Sequence, residues 1–150
     1  MKRKSKKSKK PRLSDRVAAR IRNCKNKDYE RLTVEKLAEE FEVTPEHLSR
    51  VFHRDYYTTI QKFIIHEKVR RGFEIITKSP GITSKKVAEK LDYSDGGSFT
   101  KAFKSCFPVT PAKLSRILAE QDKKRKERKK RMEEAAKKNR KVESEGSENR

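Results

Sequence analysis

Several residue types are scarce in this chain, which holds no tryptophan, two cysteines and two methionines among 150 residues. Cys24 and Cys106 lie far apart, which excludes the close cysteine spacing of a structural metal site. In a reducing compartment, two such cysteines are more often small buried residues than a disulfide or a reactive nucleophile. We therefore expect two free thiols.

Long apolar runs are also missing. No stretch approaches the roughly 18 apolar residues of a membrane-spanning helix. The basic first segment lacks the apolar core of a secretory signal peptide. We therefore expect a soluble protein without a membrane partner or an export signal.

Catalytic patterns are the third absence. The histidines at 47, 53 and 66 do not pair with cysteine or carboxylate at metal-ligand spacing. Neither a phosphate-cradling glycine loop nor a nucleophile elbow is present. The sequence predicts that the protein is not an enzyme and holds no metal or cofactor.

Positive charge is abundant, and it is concentrated at the two ends. Residues 1–12 hold eight Lys or Arg and no acid, while residues 120–150 hold thirteen basic and eight acidic residues. Like charges in such blocks favour disorder, so we expect a disordered arm at 1–12 and a disordered or conditionally helical tail at 120–150, with disorder from residue 144. The first arm is either a phosphate or minor-groove contact or a solvated tail.

The central segment, residues 33–54, has the pattern of two short helices around a tight turn. Thr33 is a candidate N-cap, and Thr44 followed by Pro45 predicts the start of a second helix. Leu37, Ala38, Phe41, Leu48, Val51 and Phe52 form the apolar stripe of the pair. The pattern predicts a helix-turn-helix.

A second copy follows at residues 83–104, at an offset of 83 − 33 = 50 residues. One inserted residue then raises the offset to 51, so that Phe99 and Phe103 align with Leu48 and Phe52. Ser94 is the expected cap of the second recognition helix. Gly96 and Gly97 occupy its first turn, where they either only loosen the helix start or make this half anchor phosphates more than it reads sequence.

Other segments complete the helical pattern. Ser14 or Asp15 is a candidate cap for a first helix, and Thr59 for a connecting helix that ends before Pro80. Gly72, in the middle of the connecting helix, indicates either close helix packing or simple tolerance. Val109, Thr110 and Pro111 begin a last packed helix.

The segments LAEEFEVTPEHLSRVFHR and VAEKLDYSDGGSFTKAFKSCFPVTPAKLSR resemble the two halves of the AraC/XylS-type DNA-binding domain. The resemblance covers about residues 13–118 and implies an all-α fold with two helix-turn-helix units on a connecting helix. Tyr57, Asp92 and Pro108 stand where this family usually has glycine, so the turns at 57 and 108 are expected to differ locally. The expected division is 1–12, 13–58, 59–79, 80–119 and 120–150.

The resemblance further implies a sequence-specific transcription regulator, usually an activator, in a bacterial cytoplasm and associated with the nucleoid. Double-stranded DNA is the expected partner, RNA polymerase is a second candidate, and we expect a monomer on DNA, of the short stand-alone form. The alternative function is nonspecific nucleic-acid packaging or RNA association through the basic tails. The expected DNA-binding residues are polar or cationic positions on the outer faces of the two recognition helices: Glu46, His47, Ser49, Arg50, His53, Arg54, Ser98, Thr100, Lys101 and Lys104.

Overall fold

The computed structural model describes residues 9–148, which are all-helical and contain no strand. The expected fold class is confirmed. Within these described residues, seven α-helices and one 3-10 helix follow one another. They are α1 (Leu13–Arg22), a 3-10 helix (Asn26–Arg31), α2 (Val34–Glu40), α3 (Pro45–Tyr56), α4 (Ile60–Lys78), α5 (Ser84–Lys90), α6 (Gly96–Cys106) and α7 (Pro111–Glu148).

Five helices begin in the same way, with a threonine as the capping residue. The Oγ1 atoms of Thr33, Thr44, Thr59 and Thr110 each accept a hydrogen bond of 3.2 Å from the backbone N–H three residues later. Thr83 accepts the equivalent bond at 3.3 Å. Each bond satisfies an N–H group that has no partner within its helix. The caps expected at Thr33, Thr44 and Thr59 are confirmed.

The start of α1 differs from expectation. Neither Ser14 nor Asp15 caps it; the helix begins at Leu13 without a side-chain cap. The Ser14 hydroxyl donates instead to Asp55 Oδ2, at the end of α3. The cap prediction was wrong because a distant carboxylate competes for this hydroxyl, which lies fully buried.

The cap of α6 also differs, by one residue. Asp95 occupies the N-cap position, and its Oδ1 accepts a hydrogen bond of 2.6 Å from the Ser98 N–H. The Ser94 hydroxyl lies 3.3 Å from the Ser98 hydroxyl instead. A carboxylate is a stronger acceptor than a hydroxyl, so the helix starts one residue later than the expected cap at Ser94 implies.

Two separate clusters of buried side chains form the interior. Each contains one helix-turn-helix pair and one part of α4. The first cluster comprises Val17, Ala18, Ile21, Cys24, Tyr29, Leu37, Ala38, Leu48, Phe52 and Ile60. The second comprises Val69, Ile76, Val87, Ala88, Leu91, Phe99 and Phe103.

Gly72 lies in α4 where the helix meets the second cluster. A Cβ atom at this position would lie 2.6 Å from Phe99 Cε2 and 3.2 Å from Leu91 Cδ1. Phe99 is fully buried and has no free space to move into. The packing role of Gly72 is therefore confirmed, because only glycine lets α4 and α6 approach this closely.

The last helix, α7, is far longer than its packed part and continues to Glu148. The disorder expected from residue 144 is therefore wrong for residues 144–148; residues 149–150, like most of the 1–12 arm, lie outside the described residues. Helix formers dominate residues 112–143, and no proline interrupts the helix after Pro111. Within residues 9–148 no helix is both long and apolar enough to cross a membrane.

Candidate nucleic-acid interface

The outer face of α3 is the first candidate surface. Leu48 and Phe52 are fully buried on the inner side of this helix. The six positions expected on the outer side are all exposed: Glu46, His47, Ser49, Arg50, His53 and Arg54. The apolar stripe thus fixes α3 to the first cluster and leaves a polar and cationic face to solvent.

A groove of about 600 Å³ lies along this face. It brings Glu46, Ser49, Arg50 and His53 together with the first residues of α2 and α4, among them Gln61. The first turn of α4 carries no acidic residue. The Lys62 N–H is bonded to Thr59 Oγ1, while the free N–H groups of Ile60 and Gln61 and the helix dipole favour an anion. The groove thus combines a cationic side chain and a helix start suited to a phosphate with the carboxylates of Glu35 and Glu46.

The two arginines on α3 differ in whether another side chain binds their guanidinium group. Arg50 forms no hydrogen bond or ion pair with any residue that the structure describes. Arg54 is held by its neighbour, because its Nε donates to Asp55 Oδ1 at 2.9 Å. The bond from Arg54, together with that from Ser14, holds the pKa of Asp55 below its usual range. Arg50 is therefore the arginine whose guanidinium is available to a ligand.

The outer face of α6 presents fewer available groups. Ser98, Lys101 and Lys104 are exposed, as expected. Thr100 is only half-exposed, and its hydroxyl donates to the carbonyl oxygen of Gly96 at 2.7 Å. The structure thus places Thr100 against its own helix, a local bond that Ser and Thr form readily in helices.

The two glycines at the start of α6 have different surroundings. A Cβ atom on Gly96 would lie 3.3 Å from the backbone nitrogen of Lys85 in α5, so glycine permits a close approach of the two helices. Gly97 is exposed, and a Cβ there would meet only Asp95 Oδ1, at 3.2 Å. The first turn of α6 consequently has no side chain reaching outward from either position.

Two cationic residues of α4 connect the halves, and sequence reasoning missed both. Arg71 donates to Asn26 Oδ1 at 2.7 Å and also to the carbonyl oxygen of Arg22. On the other side, Lys68 Nζ lies 4.0 Å from the Tyr93 ring centroid. The only signal in the sequence was the presence of charges along an otherwise apolar helical stripe.

A buried carboxylate reinforces the same junction. Glu67 is 8% exposed and accepts an ion-pair contact of 2.9 Å from Arg70. A second contact, of 3.8 Å, reaches Arg22 in α1. A buried carboxylate needs paired cations, so the contact of Glu67 with Arg22 holds α4 against the first half. Burial also lowers the pKa of Lys68, which lies against Tyr93 of the second half.

Comparison with known proteins identifies the family. A family model described as a helix-turn-helix domain matches residues 37–117, more than half of the chain. The chain belongs to the AraC-type helix-turn-helix family. This is a family of DNA-binding transcription regulators and not a class of enzymes.

Individual known proteins are similar to parts of this chain. The Msm operon regulatory protein of Streptococcus mutans is 23% identical over 83 residues, which cover 55% of this chain and 30% of that protein. The C-terminal domain of AraT, a response regulator of Geobacillus stearothermophilus, superposes with a TM-score of 0.63 at 22% identity, covering 73% of this chain and 88% of that one.

A second solved structure has the same fold. It is a DNA-binding transcriptional dual regulator of Escherichia coli K-12, with a TM-score of 0.61 at 22% identity. The superposition covers 74% of this chain and 96% of that one. At these identities the likeness concerns the fold.

The three positions at which AraC-type domains usually have glycine differ in backbone conformation in this chain. Tyr57 adopts the left-handed conformation at φ 55°, and Asp92 does so at φ 60°. Tyr57 is 87% exposed, so its side chain packs little against the rest of the fold. Tyrosine thus takes the conformation that glycine favours, at an energetic cost, whereas Pro108 has no positive φ.

Proposed function

We propose that this protein is a sequence-specific DNA-binding transcription regulator that reads two adjacent major-groove segments with α3 and α6. The observation that carries the proposal is Arg50, an exposed guanidinium without a partner among residues 9–148, on a helix whose opposite side holds the fully buried Leu48 and Phe52. Such a side chain can donate two hydrogen bonds to guanine O6 and N7. In this proposal residues 13–58 and 80–119 are the two reading units and 59–79 the spacer.

The dimensions of α4 support two readers on one duplex. Its 19 residues span about 28 Å at about 1.5 Å per residue. Successive major-groove faces of B-DNA lie about 34 Å apart. Because Arg71 and Lys68 hold α4 to both halves, the spacer is suited to keeping the recognition helices at a fixed separation.

The remaining expected DNA-contacting residues take supporting roles in the proposal. His47, His53 and Lys104 contact phosphates, while Ser49 and Glu46 face base edges. Arg54 can contact DNA only if its guanidinium leaves Asp55 and binds a phosphate instead. Two reading units in one chain imply a monomer on DNA, and the resemblance supports activation through RNA polymerase in the cytoplasm.

Selection of bound fragments from random duplex DNA tests the proposal. We expect enrichment of one site of about 20 base pairs with two half-sites about 10 base pairs apart. Sedimentation of the complex should give one protein per site. An obligate dimer on DNA would contradict the monomer proposal.

Nonspecific nucleic-acid packaging is the second candidate, favoured by the basic segment of α7. Competition with unrelated duplex at physiological salt separates the two candidates. A specific reader retains a preference of about 10³-fold or more for its site. Equal binding of all duplexes would favour packaging.

A further inference from the structure

The distal part of α7 has no role in the packed fold. Leu114, Ser115 and Leu118 still contact the second half, and Ser115 Oγ donates to the Ile82 carbonyl oxygen at 2.8 Å. From residue 123 to residue 146 every residue is exposed. At about 1.5 Å per residue this free helix extends for roughly 35 Å, which is about one turn of B-DNA.

Positive charge surrounds the first part of this free helix. Eight of the nine residues at 123–131 are Lys or Arg. Because an α-helix turns about 100° per residue, these cations point to every side of the axis. Their acidic partners lie at the base of the segment, where Asp122 contacts Arg125 at 2.9 Å and Lys126 at 3.8 Å.

The later cations of the segment have no such partners. Arg128, Lys129, Lys130 and Arg131 form no ion pair within the described residues. Like charges four residues apart, such as Lys126 and Lys130, repel each other and weaken a helix. An anionic ligand that neutralises them would stabilise the helix in the form in which it is observed.

Charge on all sides indicates an anion that encloses the helix. A single phosphate strand would need cations on one face only, whereas a groove presents phosphates on both flanks. The major groove of B-DNA is about 12 Å wide and admits an α-helix. The major groove of duplex RNA is too narrow and deep for this, so of the two duplexes only B-DNA has a major groove that admits the helix.

Two apolar side chains lie on one surface of the helix after the cationic segment. Met132 and Ala136 share this surface with Arg125, Arg128, Lys129 and Glu133. Alanine on this surface leaves room for the helix to approach the groove floor, where apolar side chains can contact thymine methyl groups. Along α7 the chain leaves the second half near Gly81, where a Cβ atom added to the glycine would lie 3.8 Å from Ala119 Cβ.

We propose that residues 123–131 lie in the major groove of duplex DNA beyond the half-site bound by α6, and contact phosphates of both strands. This segment is a third DNA-contacting element, in addition to the two recognition helices. It adds affinity and extends the site, and we place it beyond the second half-site because α7 continues from the second half, against which Leu114 and Leu118 pack. The position of residues 123–131 along the DNA relies on the proposed placement of α6, whereas their contact with the major groove does not.

The test uses the full chain with two charge-matched variants. One carries Arg128→Gln, Lys129→Gln, Lys130→Gln and Arg131→Gln. The control carries Lys137→Gln, Lys138→Gln, Arg140→Gln and Lys141→Gln in the same helix. Helix content is checked by circular dichroism, and binding is titrated against salt on the selected 20-base-pair site and on the same site extended by 15 base pairs on each side.

On the extended duplex, the first variant should lower the slope of log K against log salt by about 3 to 4, since each lost phosphate contact contributes about 0.9. On the short duplex its affinity should change by less than about twofold, because the groove beyond the site is missing there, and the control should change little on either. Equal losses on both duplexes, or equal losses in both variants, would overturn the proposal.

Protection of guanines from dimethyl sulfate tests whether residues 123–131 lie in the major groove, because guanine N7 lies in that groove. Protection of flanking guanines by the wild type, lost in the first variant, is the expected result. Flanking guanines that stay reactive, or duplex RNA that competes as well as duplex DNA, would overturn it. Preference of the wild type for the selected over a scrambled short duplex tests the proposed function separately.

Discussion

The two helix-turn-helix halves share an interior and differ in the surface that they expose. Leu48 and Phe52 in the first half, and Phe99 and Phe103 in the second, are all fully buried at corresponding positions. Outside, α3 presents Arg50, which has no partner in the part of the chain that the structure describes, whereas α6 begins with two glycines. Duplicate architecture therefore does not imply duplicate function, and we infer that the first half discriminates bases while the second mainly holds phosphates.

The largest expected effects come from removing one aromatic side chain from either interior. Phe52→Ala and Phe99→Ala should each lower the free energy of unfolding by about 3–5 kcal/mol, because each leaves a cavity in a closely packed cluster. Amide hydrogen exchange resolved by residue is the measurement. We expect faster exchange mainly in the half that carries the change. Equal acceleration in both halves would show that the clusters unfold as one.

The next effects concern the DNA-facing surface. Arg50→Ala should weaken binding to the preferred site by about 1–3 kcal/mol and relax one base position, because a bidentate contact carries sequence information. Lys101→Ala, the counterpart in α6, should weaken all sites more evenly. Both side chains are exposed, so folding should be retained, as thermal unfolding can verify. If Lys101→Ala relaxed the preference at one base position while Arg50→Ala weakened binding to all sites evenly, the two roles would be reversed.

A smaller effect on stability, with opposite signs, distinguishes the buried Tyr29 from the partly buried Tyr93. The Tyr29 hydroxyl donates to the Ile21 carbonyl oxygen at 3.3 Å, while the Tyr93 hydroxyl is buried without a partner among the described residues. Tyr29→Phe should cost about 0.5–1.5 kcal/mol. Tyr93→Phe should be neutral or stabilising, since it removes an unpaired polar atom and keeps the ring beneath Lys68. Urea denaturation of both variants measures the difference.

Alkaline pH should act on both tyrosines alike. Burial raises the pKa of Tyr29 and of Tyr93 to about 12. A raised pKa means that the neutral form is favoured in the folded state, so the stability is present below about pH 10 and is lost as the pH rises toward 12. In Tyr29→Phe and in Tyr93→Phe, the loss of folding stability at alkaline pH should therefore be smaller than in the wild type. An unchanged pH profile in both variants would argue against this assignment.

The smallest effect distinguishes the caps of the two recognition helices. Backbone and side-chain hydrogen bonds from Ser98 lower the pKa of Asp95, which caps α6. A lowered pKa contributes stability above the unfolded value, and this contribution is lost as the pH falls through the folded value. Thr44, which caps α3, does not titrate. On acidification, nuclear magnetic resonance should therefore show fraying at the start of α6 before α3, and Asp95→Asn should reduce that difference.

Local patterns were predictable from the sequence, and distant partners were not. The caps at Thr33 and Thr44 and the exposed face with Arg50 follow from short-range spacing. The bond between Ser14 and Asp55 joins residues 41 positions apart, and that between Arg71 and Asn26 joins residues 45 apart, so neither leaves a local signal.

The basic tail shows a second kind of limit. Residues 144–148 have a composition that favours disorder, yet α7 extends through them to Glu148. Composition alone weighs charge and polarity, whereas a helix that has already formed adds residues without a new nucleation cost. The choice of Asp95 over Ser94 as a cap is a similar case, since both residues suit the position and only the three-dimensional structure decides between them.

The most direct test of the unequal halves is a complete panel of single-base substitutions across the selected site, titrated with the wild-type protein. The position relaxed by Arg50→Ala identifies the half-site under α3. We predict costs of about 1–3 kcal/mol at contacted base pairs in that half-site, and distinctly smaller costs in the half-site under α6. Equal costs in the two half-sites, or larger costs under α6, would contradict the conclusion that α3 carries the discrimination.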